Sequence, residues 1–330
     1  MGALIQCVYD LRRKVYCGQI TSGILRRMIL RAAVVICARA GDPGVNYEFS
    51  GRTIVLPFSH ELPRIWCVYR DYSFNLARLA SACVEKHPDA TMVDVGANVG
   101  DSVAIVRTTS SLPVLCVEGN PTYLKYLTRN LLKFEDTEVE PRFVGAEDQD
   151  SRGRVISNGG TAHLELSGSD ASMLSIRTLE TIVSTHPRFT APRLVKIDTD
   201  GYDQRIIMGS EAFLRSANPC IFFEYDPYFL AMQSDDGLSL FPFLESLGYS
   251  GAVIWDNFGV FLLSTQLSEK ALFEQLHLYY SGRRSSAYMD IAVFHSTDQD
   301  LFEAVVLNEM QNRERIIAEL PDQDLSKGVR

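Results

Sequence analysis

Apolar and polar residues alternate in two rhythms along most of the chain. Between about residue 91 and residue 295, short apolar runs suited to β-strands are separated by stretches with the 3.6-residue period of amphipathic helices. This alternation is typical of a parallel sheet that is covered by helices on both faces. The predicted strands are residues 91–95, 114–117, 140–144, 194–197, 221–223, 252–255, 260–263 and 290–294. We therefore expect a doubly wound α/β sheet, mostly parallel, that finishes in an antiparallel hairpin.

The remainder of the chain has a simpler pattern. The first forty residues predict two helices, which are interrupted near Gly18 and restarted by the capping residues Thr21 and Ser22. A short strand and a helix then lead into the sheet. The expected division is a basic helical N-terminal extension (1–45), a connecting strand and helix (46–90), the α/β domain (91–300), and a C-terminal helix and tail (301–330) that is disordered from Pro321.

Charge separates the extension from the rest of the chain. The net charge of −9 argues against general nucleic-acid binding, which needs a basic surface. Residues 1–45 carry a net charge of +5, so the rest carries −14. In the second predicted helix, Arg26, Arg27 and Arg31 flank an apolar face. Two interpretations stay open: residues 1–40 lie on an anionic membrane surface, or this helix packs on the domain or on a second copy in a homo-oligomer.

Cysteine and histidine usage narrows the remaining classes. The seven cysteines are odd in number and scattered, and no C-x-x-C pair occurs, which favours a reducing compartment over a disulfide framework. No apolar run approaches the roughly 18 residues that span a bilayer. The expected location is the cytoplasm, either free or peripheral at the inner face of a membrane. The six histidines are isolated in the sequence, so we expect no metal site.

The most informative local signal follows the first predicted strand. Residues 94–101 read DVGANVGD, an apolar strand that enters a glycine turn and then a helix. Ligands of open α/β sheets bind at the carboxyl ends of the strands, and Gly96 and Gly100 let the backbone approach a ligand closely. The next strand ends in Glu118, whose carboxylate can accept hydrogen bonds from two ribose hydroxyls. The pattern predicts a nucleoside site.

Electrostatics distinguishes between two nucleosides that could bind here. A dinucleotide brings a pyrophosphate and favours the G-x-G-x-x-G spacing. Here Asn98 occupies the place of the middle glycine, and Asp94 and Asp101 flank the turn. Two like charges ~4 Å apart repel by about 4 kcal/mol at an effective dielectric of 20. S-adenosylmethionine (SAM) has no phosphate and carries an ammonium and a sulfonium, so the acidic loop favours SAM as the cofactor and disfavours an NAD-linked oxidoreductase.

The motifs along the chain resemble those of the FkbM-type family of SAM-dependent methyltransferases. DVGANVGD (94–101) resembles the family's D-V-G-A-N-x-G-D, and VEGNP (117–121) resembles its E-P-N-P motif. TLE (178–180) and VKIDTDGYD (195–203) resemble T-L-D and V-K-I-D-V-E-G-x-E, and Gly209 and the pair Phe223–Glu224 match further positions. Gly119 replaces a proline, and Asp200 and Asp203 replace glutamates. The resemblance implies a Rossmann-like, seven-stranded methyltransferase sheet, with no counterpart for the first sixty or so residues.

The resemblance also implies roles for individual residues. Gly96, Asn98 and Gly100 are expected around the methionine part of SAM, with Asp94 close by and Asp101 at the end of the loop. Glu118 is expected to bind the ribose, with Asn120 beside it. Ala146 and Glu147, at the end of the third strand, are expected to reach the adenine amino group. Asp198, at the end of the fourth strand, is expected to face the methyl group and the acceptor.

Family members usually methylate hydroxyl groups, often on sugars or natural products. The basic extension adds a glycolipid to the expected acceptors. A hydroxyl must lose its proton, and the catalytic candidates are Asp198 first, then Lys196, Asp200 and Glu224, all near strand ends. Lys196 is expected either to polarise the acceptor or to pair with Asp198. N-methylation and a non-catalytic, membrane-associated scaffold with this fold are the alternative hypotheses.

Overall fold

The structure, a computed structural model, describes residues 2–159, 161–165, 172–283 and 287–319. Its strands are β1 (Gly44–Phe49), β2 (Arg52–Pro57), β3 (Met92–Val95), β4 (Val114–Val117), β5 (Thr137–Glu140), β6 (Phe143–Val144), β7 (Gln149–Asn158), β8 (Thr161–Glu165), β9 (Ser172–Arg177), β10 (Leu194–Ile197), β11 (Cys220–Tyr225), β12 (Tyr249–Asp256), β13 (Phe261–Gln266) and β14 (Met289–His295). Its helices are α1 (Gly2–Tyr16), α2 (Gly23–Ala40), α3 (Leu62–Val68), α4 (Phe74–Lys86), α5 (Asp101–Val106), α6 (Pro121–Leu131), α7 (Leu179–Ser184), α8 (Asp203–Gly209), α9 (Glu211–Ala217), α10 (Pro227–Met232), α11 (Leu240–Ser246), α12 (Lys270–Tyr280) and α13 (Gln299–Glu319).

The main sheet has eight strands in the order β13-β12-β14-β11-β10-β3-β4-β5. Strands β11, β10, β3, β4 and β5 are parallel, whereas β14 is inserted antiparallel between β11 and β12. The order reverses between β10 and β3, so their carboxyl ends form the crevice where ligands of such sheets bind. The predicted mixed α/β fold is confirmed. The sheet has eight strands, as many as the sequence pattern predicts and one more than the resemblance implies, and β13 pairs with β12 as the predicted hairpin does.

The parallel strands alternate with period two between two cores. Met92, Cys116 and Leu194 face the core that contains α4, α5, α6 and α13, whereas Val93 and Val195 face the core of α7, α8, α9 and α11. Strands buried on both faces need nearly continuous apolar runs, which is what the sequence provides. Asp94 interrupts the apolar run of β3. It is fully buried and lies on the same face of the strand as Met92.

The N-terminal helices pack on the connecting segment. The side chain of Gln6 in α1 exchanges two hydrogen bonds with the backbone of Asn46 in β1, both 2.9 Å long. Cys17 and Cys67 form a disulfide that ties the end of α1 to α3. The expectation of reduced cysteines is wrong for this pair, because the packing of α1 against α3 joins residues 50 positions apart. Among the described residues, no helix is long and apolar enough to cross a bilayer.

The third strand of the sheet lies earlier than predicted. It is β5, which ends at Glu140, and Pro141 follows, a residue that cannot donate a ladder hydrogen bond. Strand β6 then leaves the sheet and joins a second sheet of order β6-β9-β7-β8. The Gly- and Ser-rich segment 157–175 contributes to this second sheet where it is described; residues 160 and 166–171, and the predicted disordered tail from Pro321, lie outside the described residues.

Candidate active site

The turn after β3 places its backbone directly against the end of β10. Gly96 has φ of 77°, and a Cβ added there would lie 2.0 Å from the carbonyl oxygen of Asp198. Gly100, with φ of 84°, precedes α5 and packs against Leu127. A side chain at position 96 would force the turn away from β10. Glycine at this position therefore keeps the turn open at the crevice between the two central strands.

Glu118, at the end of β4, is held by backbone amides on both sides. Its Oε2 accepts a hydrogen bond from the amide of Asn98 (2.8 Å) and its Oε1 accepts one from the amide of Asn120 (2.7 Å). The side chain of Asn120 in turn caps α6 by accepting from the amide of Thr122 (2.9 Å). Burial raises the pKa of Glu118 to about 7. The two bonds fix the carboxylate and leave further lone pairs for a ligand.

A buried ion cluster lies beneath the turn. Lys196 lies opposite Asp94 in the parallel pairing of β10 and β3, and its Nζ is 3.1 Å from Asp94 Oδ1. The same Nζ is 3.3 Å from Asp198 Oδ2 and donates a hydrogen bond to the carbonyl of Gly96 (3.2 Å). Burial raises the pKa of Asp94, against the effect of Lys196. Lys196 therefore ties the turn, the buried aspartate and the exposed end of β10 together.

Two cavities open along this crevice. The first, with about 660 Å³ of empty space, is lined by Glu118, Asn120 and Tyr123 and by Arg142 and Phe143 after β5. The second, with about 1010 Å³, lies towards α3 and β14. Both are lined by Gly96, Asn98, Asp198 and Asp200, which form the boundary between them.

The wall of the second cavity comes from distant parts of the chain. Its lining includes His60, Glu61, Leu62 and Ile65 from the connecting segment, together with Tyr72 and Tyr288, and from the domain Asp101, Lys196 and Glu224. The Nδ1 atom of His60 accepts a hydrogen bond from the amide of Leu62 (3.2 Å), and burial lowers the pKa of His60 to about 4. The imidazole is therefore neutral.

Residues 94–250 match the sequence profile of the methyltransferase FkbM domain. The match begins in β3, ends in β12 and covers just under half of the chain. The resemblance to the FkbM-type SAM-dependent methyltransferases is thereby confirmed, and the two cavities lie at the strand ends of this domain. No curated protein matches the chain.

Solved methyltransferase structures are similar to the chain at low identity. The FkbM methyltransferase from Methylobacillus flagellatus KT is 17% identical, over 50% of this chain and 40% of that chain, with a TM-score of 0.34. A precorrin-6y C5,15-methyltransferase from Geobacter metallireducens GS-15 is 16% identical over 63% and 80% (TM-score 0.34). Magnesium protoporphyrin IX methyltransferase from Synechocystis PCC 6803 with bound SAM is 8% identical over 71% and 83% (TM-score 0.36). The chain thus spans 40% of the Methylobacillus protein.

The methyltransferase domain brings most of the predicted residues to the crevice. Those lining one or both cavities are Gly96, Asn98, Asp101, Glu118, Asn120, Lys196, Asp198, Asp200 and Glu224. Asp94 and Gly100 lie behind the turn, where Asp94 pairs with Lys196 and Gly100 faces α6. The pairing of Lys196 with Asp198, one of the two roles considered for this lysine, is present.

The assignment of Ala146 and Glu147 to the end of the third strand is wrong, and their contact with the adenine amino group stays a prediction. Both are exposed and lie after β6 of the second sheet, and neither lines the first cavity. Because the third strand ends at Glu140, Arg142 and Phe143 lie beside the cleft instead. The predicted register failed at Pro141, which ends the strand before the apolar pair Phe143–Val144.

Several residues that line the two cavities were not predicted. His60, Tyr72 and Tyr288 line the second cavity, and Phe143 packs across Gly119, where an added Cβ would lie 2.4 Å from the ring. The replacement of the family's proline by Gly119 was a signal for this last contact, since the missing side chain leaves room for an aromatic ring. Nothing in the local sequence around the other three marks them as neighbours.

Proposed function

We propose that this chain transfers the methyl group of SAM to a hydroxyl group of a sugar, a glycolipid or a natural product. The observation that best supports the proposal is the pair of cavities that meet at Gly96 and Asp198. A cofactor cleft on one side and a larger cavity on the other allow donor and acceptor to meet at this boundary. Holding two reactants in the reactive geometry can lower the activation barrier by about 7–11 kcal/mol.

The polar groups of the first cavity fit SAM better than a dinucleotide. The fixed carboxylate of Glu118 is suited to two ribose hydroxyls, because hydrogen bonds to a charged acceptor contribute about 1.5–3 kcal/mol each. Asp198 and the buried Asp94 surround the turn with negative charge. An ammonium and a sulfonium are attracted to this charge, whereas a pyrophosphate is repelled.

SAM, when bound, supplies an electrophilic methyl group. Glu118 and the turn at Gly96 and Asn98 would hold it, its sulfonium would be the leaving group for transfer to an acceptor hydroxyl, and a carboxylate of this chain would take the hydroxyl proton. Asp198 is the best candidate for this base, because it lines both cavities and its side chain is 46% exposed. Lys196, 3.3 Å away, orients the carboxylate.

The other candidates have different roles. Lys196 is buried and its ammonium already contacts Asp94, Asp198 and the Gly96 carbonyl, so we assign it a positioning role. Asp200 lines both cavities and is the second candidate for the base. Burial and neighbouring carboxylates raise the pKa of Glu224 well above its ordinary value, which means that its ionised form is costly while no cation lies beside it.

Calorimetry with SAM, S-adenosylhomocysteine and NAD tests the cofactor. We expect micromolar binding of the first two and no binding of NAD. Methylation of a panel of sugars and glycolipids, with the product analysed by mass spectrometry, then distinguishes O-methylation from N-methylation. Binding of NAD without SAM would contradict the proposal.

Asp198→Asn tests the base. We expect a loss of about 10²- to 10⁴-fold in kcat, the usual contribution of general base catalysis, with the affinity for SAM retained. Asp235→Asn is a control, because Asp235 pairs with Arg205 outside both cavities. Unchanged kcat in Asp198→Asn would assign the base to another residue, Asp200 first.

A specific observation also supports the proposed contact with an anionic membrane. On α2, Ile24, Met28 and Val34 are 68%, 63% and 68% exposed, and Arg27 and Arg31 lie among them on the same exposed side. The helix contains no acidic residue. An exposed face that mixes apolar and basic side chains is typical of helices that lie in the interface of anionic bilayers.

Vesicle sedimentation tests this contact. Full-length protein should bind phosphatidylserine vesicles at low salt, and Arg26→Glu with Arg27→Glu should abolish binding. Arg215→Glu with Arg315→Glu, on α9 and α13, changes the net charge equally and should bind normally. Vesicle binding in a protein that binds neither SAM nor its product would support the scaffold alternative instead.

A further inference from the structure

The second cavity contains a buried carboxylate without a compensating cation. The Oε1 atom of Glu224 is buried and has no hydrogen-bond partner among the described residues. The charged groups that influence Glu224 most are Asp198, Asp200, Asp203 and Asp226, all of them carboxylates. A buried charge of this kind is costly unless it is paired, so a cationic group is missing from its surroundings.

The charged residues that line the cavity do not supply this cation. Among the described lining residues, Lys196 is the only lysine or arginine, and its ammonium is already shared between Asp94 and Asp198. Glu61, by contrast, is paired with Arg12 at 3.1 Å. No group of acidic, histidine or cysteine side chains in the described part of the chain has the geometry to hold a metal ion. The missing cation therefore fits an organic ligand better than a metal.

Two tyrosines complete the surroundings of Glu224. Tyr72 and Tyr288 line the cavity, and the acidic groups that act on both include Glu224, Asp198 and Asp290. Burial, and after it the same carboxylates, raises the pKa of both phenols, so their rings stay neutral. The face of a neutral tyrosine ring attracts an ammonium, most strongly where water is excluded.

His60 adds a hydrogen-bond donor to the same cavity. It is 7% exposed, and because its Nδ1 accepts from Leu62, the hydrogen of the neutral ring lies on Nε2. Burial lowers the pKa of His60, and the hydrogen bond of this imidazole with the side chain of Asn98 raises it against that larger effect. His60 and Asn98 therefore give the cavity a polar edge beside the acidic side chains.

We propose that the second cavity binds an acceptor that carries a protonated amino group near the hydroxyl to be methylated, as in an amino sugar, with Glu224 and the rings of Tyr72 and Tyr288 around the ammonium. This inference rests on the proposed function of the site. The positive charge of SAM does not explain Glu224, because Glu224 lines the second cavity and not the first.

Matched pairs of saccharides test the inference. The protein is saturated with S-adenosylhomocysteine, and glucosamine and galactosamine oligosaccharides are titrated beside their N-acetylated counterparts. We expect the amine-bearing member of at least one pair to bind tenfold or more tightly. In Glu224→Gln this preference should fall to below threefold. Glu211→Gln, which removes a carboxylate that pairs with Arg215 outside both cavities, should keep it.

The outcomes separate the two proposals. Glu224→Gln should bind S-adenosylhomocysteine and melt like the wild type, which shows that the variant is folded. If S-adenosylhomocysteine does not bind to the wild type, the proposed function fails. If it binds but no pair shows a preference for the amine, or if Glu224→Gln keeps the preference, the inference about the acceptor is overturned and the methyltransferase function stands.

Discussion

The buried carboxylates of the two cavities, Glu118 and Glu224, differ in their hydrogen-bond partners. In the first, both oxygens of Glu118 are held by backbone amides that its own loops provide. In the second, Glu224 has an oxygen without a partner and is surrounded by further acids. A carboxylate fixed by amides is ready for one ligand geometry, whereas an unpaired one depends on a ligand for its counter-charge. The first cavity is therefore preorganised for a cofactor, whereas in the second cavity the ligand itself has to supply the charge that pairs with Glu224.

The largest effect that this comparison predicts concerns Glu118. Glu118→Ala removes two hydrogen bonds from a charged acceptor to the ribose, worth about 3–6 kcal/mol together, or about 10²- to 10⁴-fold in SAM affinity. Glu224→Ala should leave SAM affinity within about threefold of the wild type, because Glu224 lines the other cavity. Calorimetry measures both. Equal losses in the two variants would mean that the cavities act as one site.

The second prediction concerns the ion cluster that joins the cavities. Lys196→Met leaves Asp94 buried without its cation, and breaking a buried pair by removing one partner costs about 3–5 kcal/mol. The free energy of unfolding, measured with urea, should fall by this amount. Lys133→Met is the control. Lys133 lies on the surface, where its Nζ donates a hydrogen bond to the carbonyl of Thr53 (2.6 Å). A loss below 1 kcal/mol would show that Lys196 does not stabilise the cluster.

The sequence contained enough information to predict the first cavity because local structure builds it. A strand, a glycine turn and a helix within residues 92–106 place the turn at the sheet edge, and Glu118 follows at the end of the adjacent strand. The amides that hold Glu118 could not be predicted, since they depend on the left-handed conformation of Asn98 and the cap formed by Asn120. The ion pair of Lys196 with Asp94 needs the register of β10 on β3, which motifs do not give.

The second cavity could not be predicted because no contiguous segment builds it. Tyr72 and Tyr288 are far apart in sequence and meet only through the packing of the connecting segment against β14. The same reason hid the disulfide, because Cys17 and Cys67 share no motif. The error at Ala146 has a different cause, since an apolar pair after Pro141 was assigned to the main sheet and belongs to the second one. Long-range packing, rather than local preference, decided each of these cases.

The third prediction concerns the wall of the second cavity. Cys17→Ser removes the disulfide that ties α3, which carries Leu62 and Ile65, to α1. A disulfide that closes a loop of this length stabilises by about 2–4 kcal/mol, mainly through the unfolded chain. Urea denaturation under non-reducing conditions should show this loss, whereas Cys7→Ser, at an exposed free cysteine, should have almost no effect. If both variants match the wild type, the pair is reduced in the protein, as the predicted cytoplasmic location requires.

The fourth prediction concerns the pH dependence of the stability of the free protein. Burial raises the pKa of Glu118 to about 7 in the folded state from 4.5, so the folded state holds a proton that the unfolded state releases. This contribution to stability is complete below pH 4.5 and is lost as the pH rises to about 7, by at most about 1.4 kcal/mol per pH unit. Glu118→Gln cannot titrate, and urea denaturation from about pH 5 to pH 8 should show a shallower decline than in the wild type. Saturating SAM should also flatten the wild-type profile, since the ribose hydroxyls favour the ionised carboxylate. An unchanged slope in Glu118→Gln would mean that Glu118 is already ionised in the free protein. The first cavity would then bind the ribose without any change in the protonation of Glu118, and its contrast with the second cavity would be larger.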